Sequence, residues 1–210
     1  MLYFNFGLNQ NDAAGKISMT TIHKFVTWAA LLPTTLIAPA QDTEKIVRGH
    51  KGDQSFAFRM LPPATFTELP APILRDLEKR HCLIPQSYEA KSPENVIHGA
   101  FLQQGSNDWA VLCSQDGTTT LLVYWNGAAA KPAELAAQID ADTAEPHDET
   151  SLLGYARGID PASPDMISEV LVNKPYGPFD HEGIKDAHIE KSSIVHYFKS
   201  GTWMTLAGSE

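Results

Sequence analysis

The chain has 210 residues, of which 16 are basic and 25 acidic, so its formal net charge is −9 with histidine neutral. An acidic chain without a basic stripe is a poor partner for nucleic acid, because phosphates attract clustered lysine and arginine. We therefore expect no nucleic-acid partner, and the acidic surface mainly favours solubility.

The first forty residues have the features of a secretory signal peptide. Lys24 supplies a positive charge before an apolar run from Phe25 to Ala38, and Ala38-Pro39-Ala40 offers small residues at a cleavage site. We expect residues 1–40 to be removed by cleavage after Ala40, with Met19 as an alternative start. The other interpretation of the run is an N-terminal helix that is buried against the rest of the protein.

The location of the mature protein follows from the same segment. The apolar run is short and contains Pro33, which disfavours a membrane-spanning anchor. We therefore expect a periplasmic or secreted protein without a membrane span after cleavage. Residues 41–210 are enough for one well-cored domain and short for two, so a single β-rich domain is expected there.

The stretch from Asn95 to Gly127 predicts three consecutive antiparallel strands. Its middle strand, Asp108 to Ser114, carries apolar groups on both of its alternating faces, so we expect it to be covered on both sides. A Gln115-Asp116-Gly117 turn leads to Thr119–Trp125, whose β-branched and aromatic residues favour a strand. The first strand is expected at Val96–Phe101.

A shorter version of this pattern is found near the C-terminus. Gly183 and Asp186 repeat the G-x-x-D spacing of Gly105 and Asp108. We expect two structurally equivalent segments, in which each glycine lies in a turn and each aspartate begins a strand. The strands expected in the second segment are Asp186–Lys191, Ile194–Phe198 and Thr202–Ala207.

The motif G-x-F-x-x-x-G-x-x-D that ends at Asp108 resembles the FG-GAP and VCBS-type repeats of extracellular β-propellers. Repeats of that family hold calcium in a loop of the form D-x-D-x-D-G-x-x-D. The resemblance implies at most a weak calcium site at Asp180, Glu182 and Asp186, because Pro178 replaces the first ligand, and it implies no calcium in the first loop. The chain is also similar to exported bacterial proteins of unknown function.

The same acidic loop is the densest group of metal-ligating side chains in the sequence, because His181 and His188 flank it. The simplest interpretation is a solvated turn that leads into a strand. One alternative is a site for a hard cation, although the loop offers few of the six to eight oxygens that calcium takes. The other is a transition-metal or catalytic site.

The chain has two cysteines, Cys82 and Cys113. An even count in an exported protein indicates a disulfide, which would join the segment before the first meander to its second strand. The alternative is a reactive thiol, since His81 is adjacent to Cys82. Sequence neighbours seldom form a nucleophile–base pair, however, because such pairs are usually assembled across the fold.

The fold class expected from these patterns is β-rich α+β, with two related antiparallel β-meanders at about 95–127 and 183–207 and two or three short helices. Ile73 and Leu77 share the buried face of one such helix. Outside the meanders we expect a loose segment at Gln41–Lys51 and strands at Ser55–Met60 and Ser151–Ile159. Helices are expected at Ile73–Arg80, at Ala133–Gln138 and from Ser163. The residues of the last helix that should face inward are Met166, Ile167, Val170 and Leu171.

No catalytic residue is assigned, because the sequence lacks the serine-elbow, zinc-protease, P-loop and dinucleotide motifs. The leading hypothesis is a non-enzymatic binding or structural module of the envelope or extracellular space, with a protein or glycan partner. The alternative is a small secreted hydrolase with a carboxylate/histidine site. The simplest interpretation of the aromatic residues in the strands is that they belong to the core. The alternative is that one or two of them form a stacking platform for a sugar or peptide. These residues are Trp109, Tyr124, Trp125, Tyr197, Phe198 and Trp203.

Overall fold

A computed structural model describes residues 44–147, 151–170 and 177–207. The proposed signal peptide and its cleavage site lie outside these residues. The described chain forms thirteen strands and two α-helices, in this order: β1 (Lys45–Lys51), β2 (Gln54–Leu61), α1 (Ala71–Lys79), β3 (Ile84–Gln86), β4 (Val96–Gly99), β5 (Asp108–Gln115), β6 (Thr118–Tyr124), β7 (Ala133–Ile139), β8 (Ala144–Pro146), β9 (Leu153–Tyr155), β10 (Arg157–Ala162), α2 (Pro164–Val170), β11 (Gly183–His188), β12 (Ser192–Lys199) and β13 (Thr202–Ala207).

The strands of the described chain belong to three sheets. The first has the order β1-β2-β9-β8, with β3 beside β2, and its single parallel pairing joins β2 to β9. The second sheet is the meander β4-β5-β6-β7, and the third is the meander β10-β11-β12-β13. The β-rich α+β fold with two antiparallel meanders is therefore confirmed, and each meander has one strand more than predicted. Neither described helix is long and apolar enough to cross a membrane.

Strand β5 is buried on both faces, as its composition predicted. Trp109, Val111 and Cys113 pack into a core cluster with α1, whereas Ala110 and Leu112 pack on the opposite face against residues of the third sheet. The central position of β5 explains why both of its faces are apolar.

Helix α1 is fastened to the second sheet by a disulfide. Ile73 and Leu77 are fully buried against the core cluster that contains both cysteines. Cys82 and Cys113 are bonded, with Cα atoms 5.1 Å apart, so the disulfide prediction is confirmed. The bond joins the chain just after α1 to the interior of β5.

The secondary-structure predictions for Ala133–Gln138 and Gln41–Lys51 are wrong, and the single strand expected at Ser151–Ile159 is divided between β9 and β10, which belong to different sheets. Ala133–Gln138 was expected to be a helix because of its alanines, but this segment lies within β7. The open edge of β6 supplies backbone partners there, and this tertiary pairing outweighs the helix propensity of alanine, which is high but contributes only a fraction of a kcal/mol per residue. Gln41–Lys51 was expected to be loose, yet Lys45–Lys51 forms β1 and pairs along its whole length with β2.

The helix expected from Ser163 is α2. The hydroxyl of Ser163 accepts a hydrogen bond from the backbone N of Met166 at 3.2 Å, as an N-cap residue does. Ile167 is buried as predicted, but Met166 is 43% exposed, so the prediction that it faces inward is wrong. The side chain of Val170 and all of Leu171 lie outside the described residues.

The predicted equivalence of the two G-x-x-D segments is wrong, because only the first copy has the expected turn and strand start. Gly105 lies in a turn with φ +76°, and Asp108 begins β5. In the second copy Gly183 begins a strand and Asp186 is the fourth residue of β11, so the predicted turn and strand start are wrong. A Cβ at Gly183 would lie only 2.6 Å from the side chain of Val195, so close packing rather than a turn requires this glycine.

Candidate binding cleft

A cleft of about 400 Å³ lies at the edge of the third sheet where β11 begins and β12 ends. One wall comes from the loop after β4, another from the segment that leads into β11, and the third from the end of β12. The lining residues are Leu102, Gln103, Pro178, Asp180, His181, Tyr197, Phe198, Lys199 and Ser200.

Asp108 fixes the first wall. Its Oδ2 atom accepts hydrogen bonds from the backbone N of Leu102, at 2.8 Å, and from the hydroxyl of Ser106. Its Oδ1 atom accepts a hydrogen bond from the backbone N of Asn126 at 2.9 Å. This fully buried carboxylate therefore holds the loop that carries Leu102 and Gln103 against the end of β6.

Glu182 joins the first wall to the second. Its Oε2 atom accepts a hydrogen bond from the backbone N of Ala100 at 2.7 Å, and its own backbone N donates to the carbonyl oxygen of Ala100 at 3.1 Å. A Cβ at Gly99 would lie 2.7 Å from the same Oε2 atom, so glycine allows this approach. The two walls are thus held together by a reciprocal pair of hydrogen bonds.

Asp180 and Tyr197 form a second reciprocal pair. The Tyr197 hydroxyl donates to Asp180 Oδ1 at 3.0 Å and accepts from the backbone N of Asp180 at 3.1 Å. Burial is the main cause that raises the pKa of the Tyr197 phenol above its usual value. The Asp180 side chain is 77% exposed, so its carboxylate faces solvent at the mouth of the cleft.

His181 lies behind this pair and is only 7% exposed. Its ring stacks on that of Tyr197, with centroids 4.3 Å apart and planes 5° from parallel. Nδ1 lies 2.9 Å from the carbonyl oxygen of Glu182, and Nε2 lies 2.8 Å from the carbonyl oxygen of Phe198. Both ring nitrogens therefore lie within hydrogen-bond distance of backbone carbonyls in the walls of the cleft.

Phe198 belongs both to the cleft and to a group of half-buried aromatic side chains. Its ring centroid is 5.6 Å from that of Trp125 and 5.4 Å from that of Trp203. The two indoles stack on each other with centroids 5.7 Å apart. These three side chains are called the aromatic group below. Phe198 is the member that lines the cleft, and its ring is held in place by the two indoles.

The interior of the third sheet contains a buried ion pair. Arg157 donates from Nε to Asp186 Oδ1 at 2.8 Å and from Nη2 to Oδ2 at 2.7 Å, and His196 Nε2 lies 3.3 Å from Oδ2. Burial alone would raise the pKa of the Asp186 carboxyl, but the hydrogen bonds from Arg157 and His196 outweigh it and hold the pKa below its usual value. Asp186 is therefore an ionised, shielded carboxylate at neutral pH.

Arg157 also joins the second sheet to the third. Nη1 donates to the carbonyl oxygen of Thr119 at 3.3 Å, and Nη2 donates to that of Ala136 at 2.9 Å. Ala136 has φ +44° at an irregularity in the pairing of β6 with β7, which turns its carbonyl toward the guanidinium. These contacts give the ion pair a structural role.

The predicted metal ligands lie in the segment before β11 and within β11, and they have separate partners. Asp180 is bonded to Tyr197, Glu182 to Ala100, and Asp186 to Arg157. Over the described ranges, no group of three or more histidine, cysteine, aspartate or glutamate side chains is arranged to hold a metal ion. The weak calcium site implied by the family resemblance stays a prediction.

The two histidines that flank the acidic residues in the sequence, His181 and His188, lie at different sites in the structure. His181 is part of the cleft, whereas His188 lies at the other end of β11, where its Nε2 is 3.3 Å from Glu145 Oε1. Cavities of about 420, 410 and 170 Å³ border His188. Among the described residues, their lining contains no phenylalanine, tyrosine or tryptophan, so the cleft next to the aromatic group is the better candidate for a binding site.

Sequence reasoning missed several residues of these two sites. Gln103, Lys199 and Ser200 line the cleft, but isolated polar residues in turns carry no signal in a sequence. Arg157 and His196 were also missed, because the ion pair joins residues 29 positions apart and no local motif reports it. Comparison with family models, curated proteins and solved structures found no match to this chain.

Proposed function

We propose that this protein is an exported, non-enzymatic binding module that takes a glycan in the cleft. The observation that carries the proposal is the position of Phe198, which is braced by Trp125 and Trp203 and forms one side of a cleft whose mouth carries the Asp180 carboxylate. A sugar ring presents C–H groups that stack on an aromatic face and hydroxyls that donate to a carboxylate.

The polar lining fits the same class of ligand. Gln103, Lys199 and Ser200 add an amide, an ammonium and a hydroxyl around the aromatic side. Binding sites commonly combine an apolar surface with a few polar groups that fix the orientation of the ligand. A cleft volume of about 400 Å³ accommodates a short oligosaccharide or the end of a longer chain.

The disulfide supports a location outside the cytoplasm. Structural disulfides form and persist in oxidising compartments, and Cys82–Cys113 is buried in the core that holds α1. The envelope or the extracellular space is therefore the proposed place of action, and polymers of sugars are abundant there as structural materials.

A binding role is favoured over the hydrolase alternative by the state of the Asp186–His196 pair. Asp186 accepts two hydrogen bonds from Arg157 and is buried, as is His196. A carboxylate held ionised in this way is a poor general acid, since protonating it would leave the guanidinium without its counter-ion.

Titration with soluble oligosaccharides, followed by intrinsic tryptophan fluorescence, tests the proposal. Binding should change the tryptophan emission of the aromatic group. Phe198→Ala should lower the affinity for the oligosaccharide about threefold to tenfold. Asp180→Asn should weaken binding about tenfold, because a charged acceptor is lost. Tyr88→Ala is the control, since Tyr88 is another half-buried aromatic residue that stacks on His147 outside the cleft.

Three outcomes would count against the proposal. The first is that neutral, acidic and amino oligosaccharides all fail to bind. The second is that Tyr88→Ala weakens binding as much as Phe198→Ala, although thermal unfolding shows both variants folded. The third is release of new reducing ends from a bound oligosaccharide, which would establish the hydrolase alternative instead.

A further inference from the structure

Strand β1 is an open edge of the first sheet. Over the described residues it pairs with β2 on one side, from Lys45 to Lys51, and with no strand on the other. Alternate residues of such a strand direct their backbone N–H and C=O groups away from the sheet, where no neighbouring strand pairs with them. None of the seven residues of β1 is buried. The strand therefore carries a row of free backbone donors and acceptors at the surface.

One end of this edge is already covered by the chain itself. The Lys51 ammonium donates to the carbonyl oxygens of Asp142 and Ala144, at 3.1 and 2.9 Å. The short 3₁₀ helix Asp140–Thr143 packs beside the strand at this end. The free part of the edge is accordingly residues 45–50, which is long enough for an added strand of about five residues.

Two large apolar side chains lie on the free part of the edge. Ile46 is 44% exposed and Val47 is 38% exposed, and as neighbours in a strand they point to opposite faces of the sheet. A strand added beside β1 would bring side chains next to both of them and remove part of their surface from water. The edge therefore suits an extended chain that runs along it.

The charge of the free edge selects the kind of chain. Strand β1 contains three lysine and arginine residues and no acidic residue, in a protein whose net charge is −9. Lys45 and Arg48 have no ion-pair partner among the described residues. Glu44, which precedes them, is bonded to Arg59 at 2.8 Å. Two cations at the edge are thus available to carboxylates of a partner.

A second copy of this chain is a poor occupant of the edge. Pairing of β1 with its own copy would place lysine and arginine side chains beside lysine and arginine side chains, and like charges across a strand pair are destabilising. Basic residues on edge strands commonly prevent such pairing between copies. An acidic strand meets no such repulsion, because its carboxylates attract both Lys45 and Arg48.

We propose that the edge of β1 binds an extended acidic segment of a partner protein by strand addition. The segment pairs its backbone with residues 45–50, covers Ile46 and Val47 with its apolar side chains, and places its carboxylates beside Lys45 and Arg48. Backbone hydrogen bonds supply the affinity in this mode of recognition, and alternate side chains supply the specificity. The edge belongs to the first sheet, and the inference does not depend on the glycan function proposed for the cleft.

Backbone amide hydrogen exchange, followed by nuclear magnetic resonance, tests the proposal with a synthetic peptide. The probe is about six residues long, is capped at both ends and alternates glutamate with valine. At saturation it should slow the exchange of the unpaired amides of β1 by about tenfold or more. It should leave unchanged the amides of β13, which is the outermost strand of the third sheet and has no charged residue. A matched peptide that alternates lysine with valine should bind about tenfold more weakly or worse.

Two substitutions with the same change of charge distinguish the edge from the rest of the surface. Arg48→Glu should lower the affinity for the glutamate peptide about fivefold to tenfold, because an attraction becomes a repulsion. Arg75→Glu, at an exposed position of α1, is the control and should leave the affinity unchanged. The glutamate peptide methylated on every backbone nitrogen keeps its charge but cannot donate from its backbone, so it should bind about tenfold more weakly.

Four results would overturn the inference. The exchange of the β1 amides may not be left unaltered by about 1 mM glutamate peptide, since that would show that the edge accepts no strand. Equal binding of the methylated peptide would show attraction by charge alone, and an anionic polysaccharide would then be the better candidate ligand. Protection of β1 that grows with protein concentration, without any peptide, would identify a second copy as the occupant. Equal binding of the lysine and glutamate peptides would show that the edge does not select acidic chains.

Discussion

Arg157 and Asp186 form a two-point ion pair inside the third sheet, with Nε–Oδ1 and Nη2–Oδ2 distances of 2.8 and 2.7 Å. They lie on the neighbouring strands β10 and β11, where Asp186 is opposite Ile159, two residues along from Arg157. The same guanidinium reaches carbonyl oxygens on β6 and β7. One charged side chain therefore sets the position of the second sheet relative to the third.

Removing the carboxylate from this pair should be strongly destabilising. Asp186→Asn leaves the buried guanidinium without its counter-ion, so we expect the free energy of unfolding in urea to fall by about 3–5 kcal/mol. The double variant Asp186→Asn, Arg157→Met should lose less than the sum of the two single variants, because no uncompensated charge remains. Additive losses would show that the two residues act independently.

The same pair predicts sensitivity to acid. Burial opposes the charged form of Asp186, but the hydrogen bonds from Arg157 and His196 hold its pKa below the usual value of 3.8. Glu145 is similar: burial opposes its charge, and the hydrogen bond from Lys191 is the largest cause that lowers its pKa below 4.5. Each carboxylate contributes its full stabilisation at pH values above the pKa that it has in the unfolded protein. This stabilisation is lost as the pH falls through the lower pKa that it has in the folded protein.

Urea unfolding at a series of pH values below about 5 checks this prediction. The stability difference between the wild-type protein and Asp186→Asn should be largest near neutral pH and should shrink as the pH falls. Asp53→Asn, in the exposed turn between β1 and β2, is the control and should give a difference that is small at every pH. A constant difference for Asp186→Asn would contradict the ionic origin of the effect.

The sequence predicted those elements whose signal is local. The alternation of β5, the turn at Gly117 and the apolar spacing of Ile73 and Leu77 depend on neighbours in the chain, and all three appear in the structure. The strand β7 was missed because its partner is β6, and pairing of this kind leaves no mark on an alanine-rich segment.

The candidate site was predictable only in part, for a related reason. The acidic residues at 180, 182 and 186 are close in sequence, but the first two lie before β11 and each of the three bonds to a partner from a different part of the fold. Asp186 points to Arg157 on another strand, and the spacing within the loop contains no information about that strand. The aromatic group likewise combines Trp125 of the second sheet with two residues of the third.

Reduction of the disulfide should destabilise the protein. Cys82 and Cys113 are 31 positions apart, and a closed loop of that length corresponds to roughly 3–4 kcal/mol of chain entropy in the unfolded state. Urea unfolding with and without a reductant measures this difference, and the variant Cys82→Ala, Cys113→Ala should unfold alike in both conditions. A wild-type protein that is equally stable in both would show that the bond contributes nothing.

Four buried or half-buried tyrosines should resist ionisation in alkali. Burial is the main cause that raises the pKa of Tyr88 to about 12, and burial also raises the pKa values of Tyr124, Tyr155 and Tyr197. Their neutral forms stabilise the fold below the unfolded value of 10, and this stability is lost as the pH rises through the folded values.

The near-ultraviolet absorbance of phenolate at about pH 11 measures this resistance. The chain has six tyrosines, and four of them have raised pKa values, so the native protein should show a smaller absorbance change than the guanidinium-unfolded protein. Equal absorbance changes in a protein that is still folded by circular dichroism would mean that these phenols are open to solvent.

Calcium should bind weakly at Asp180, Glu182 and Asp186, with a dissociation constant of about 1 mM or higher. Calcium takes six to eight oxygen ligands, but both oxygens of Asp186 already accept from Arg157, and Oε2 of Glu182 accepts from Ala100. To recruit Asp186, the ion would have to separate a buried guanidinium from its carboxylate, and the cost of leaving that charge unpaired would offset most of the binding energy.

Calorimetric titration of chelator-treated protein with calcium checks this expectation, and Asp180→Ala is the informative variant. Asp180 is exposed and its carboxylate bonds Tyr197, so the substitution should change the free energy of unfolding by about 1 kcal/mol or less, with or without calcium. Micromolar affinity that Asp186→Ala abolishes while the protein stays folded would contradict the prediction. It would mean that calcium, rather than Arg157, is the partner of Asp186 in solution, and that the resemblance to the calcium-binding repeats extends to function.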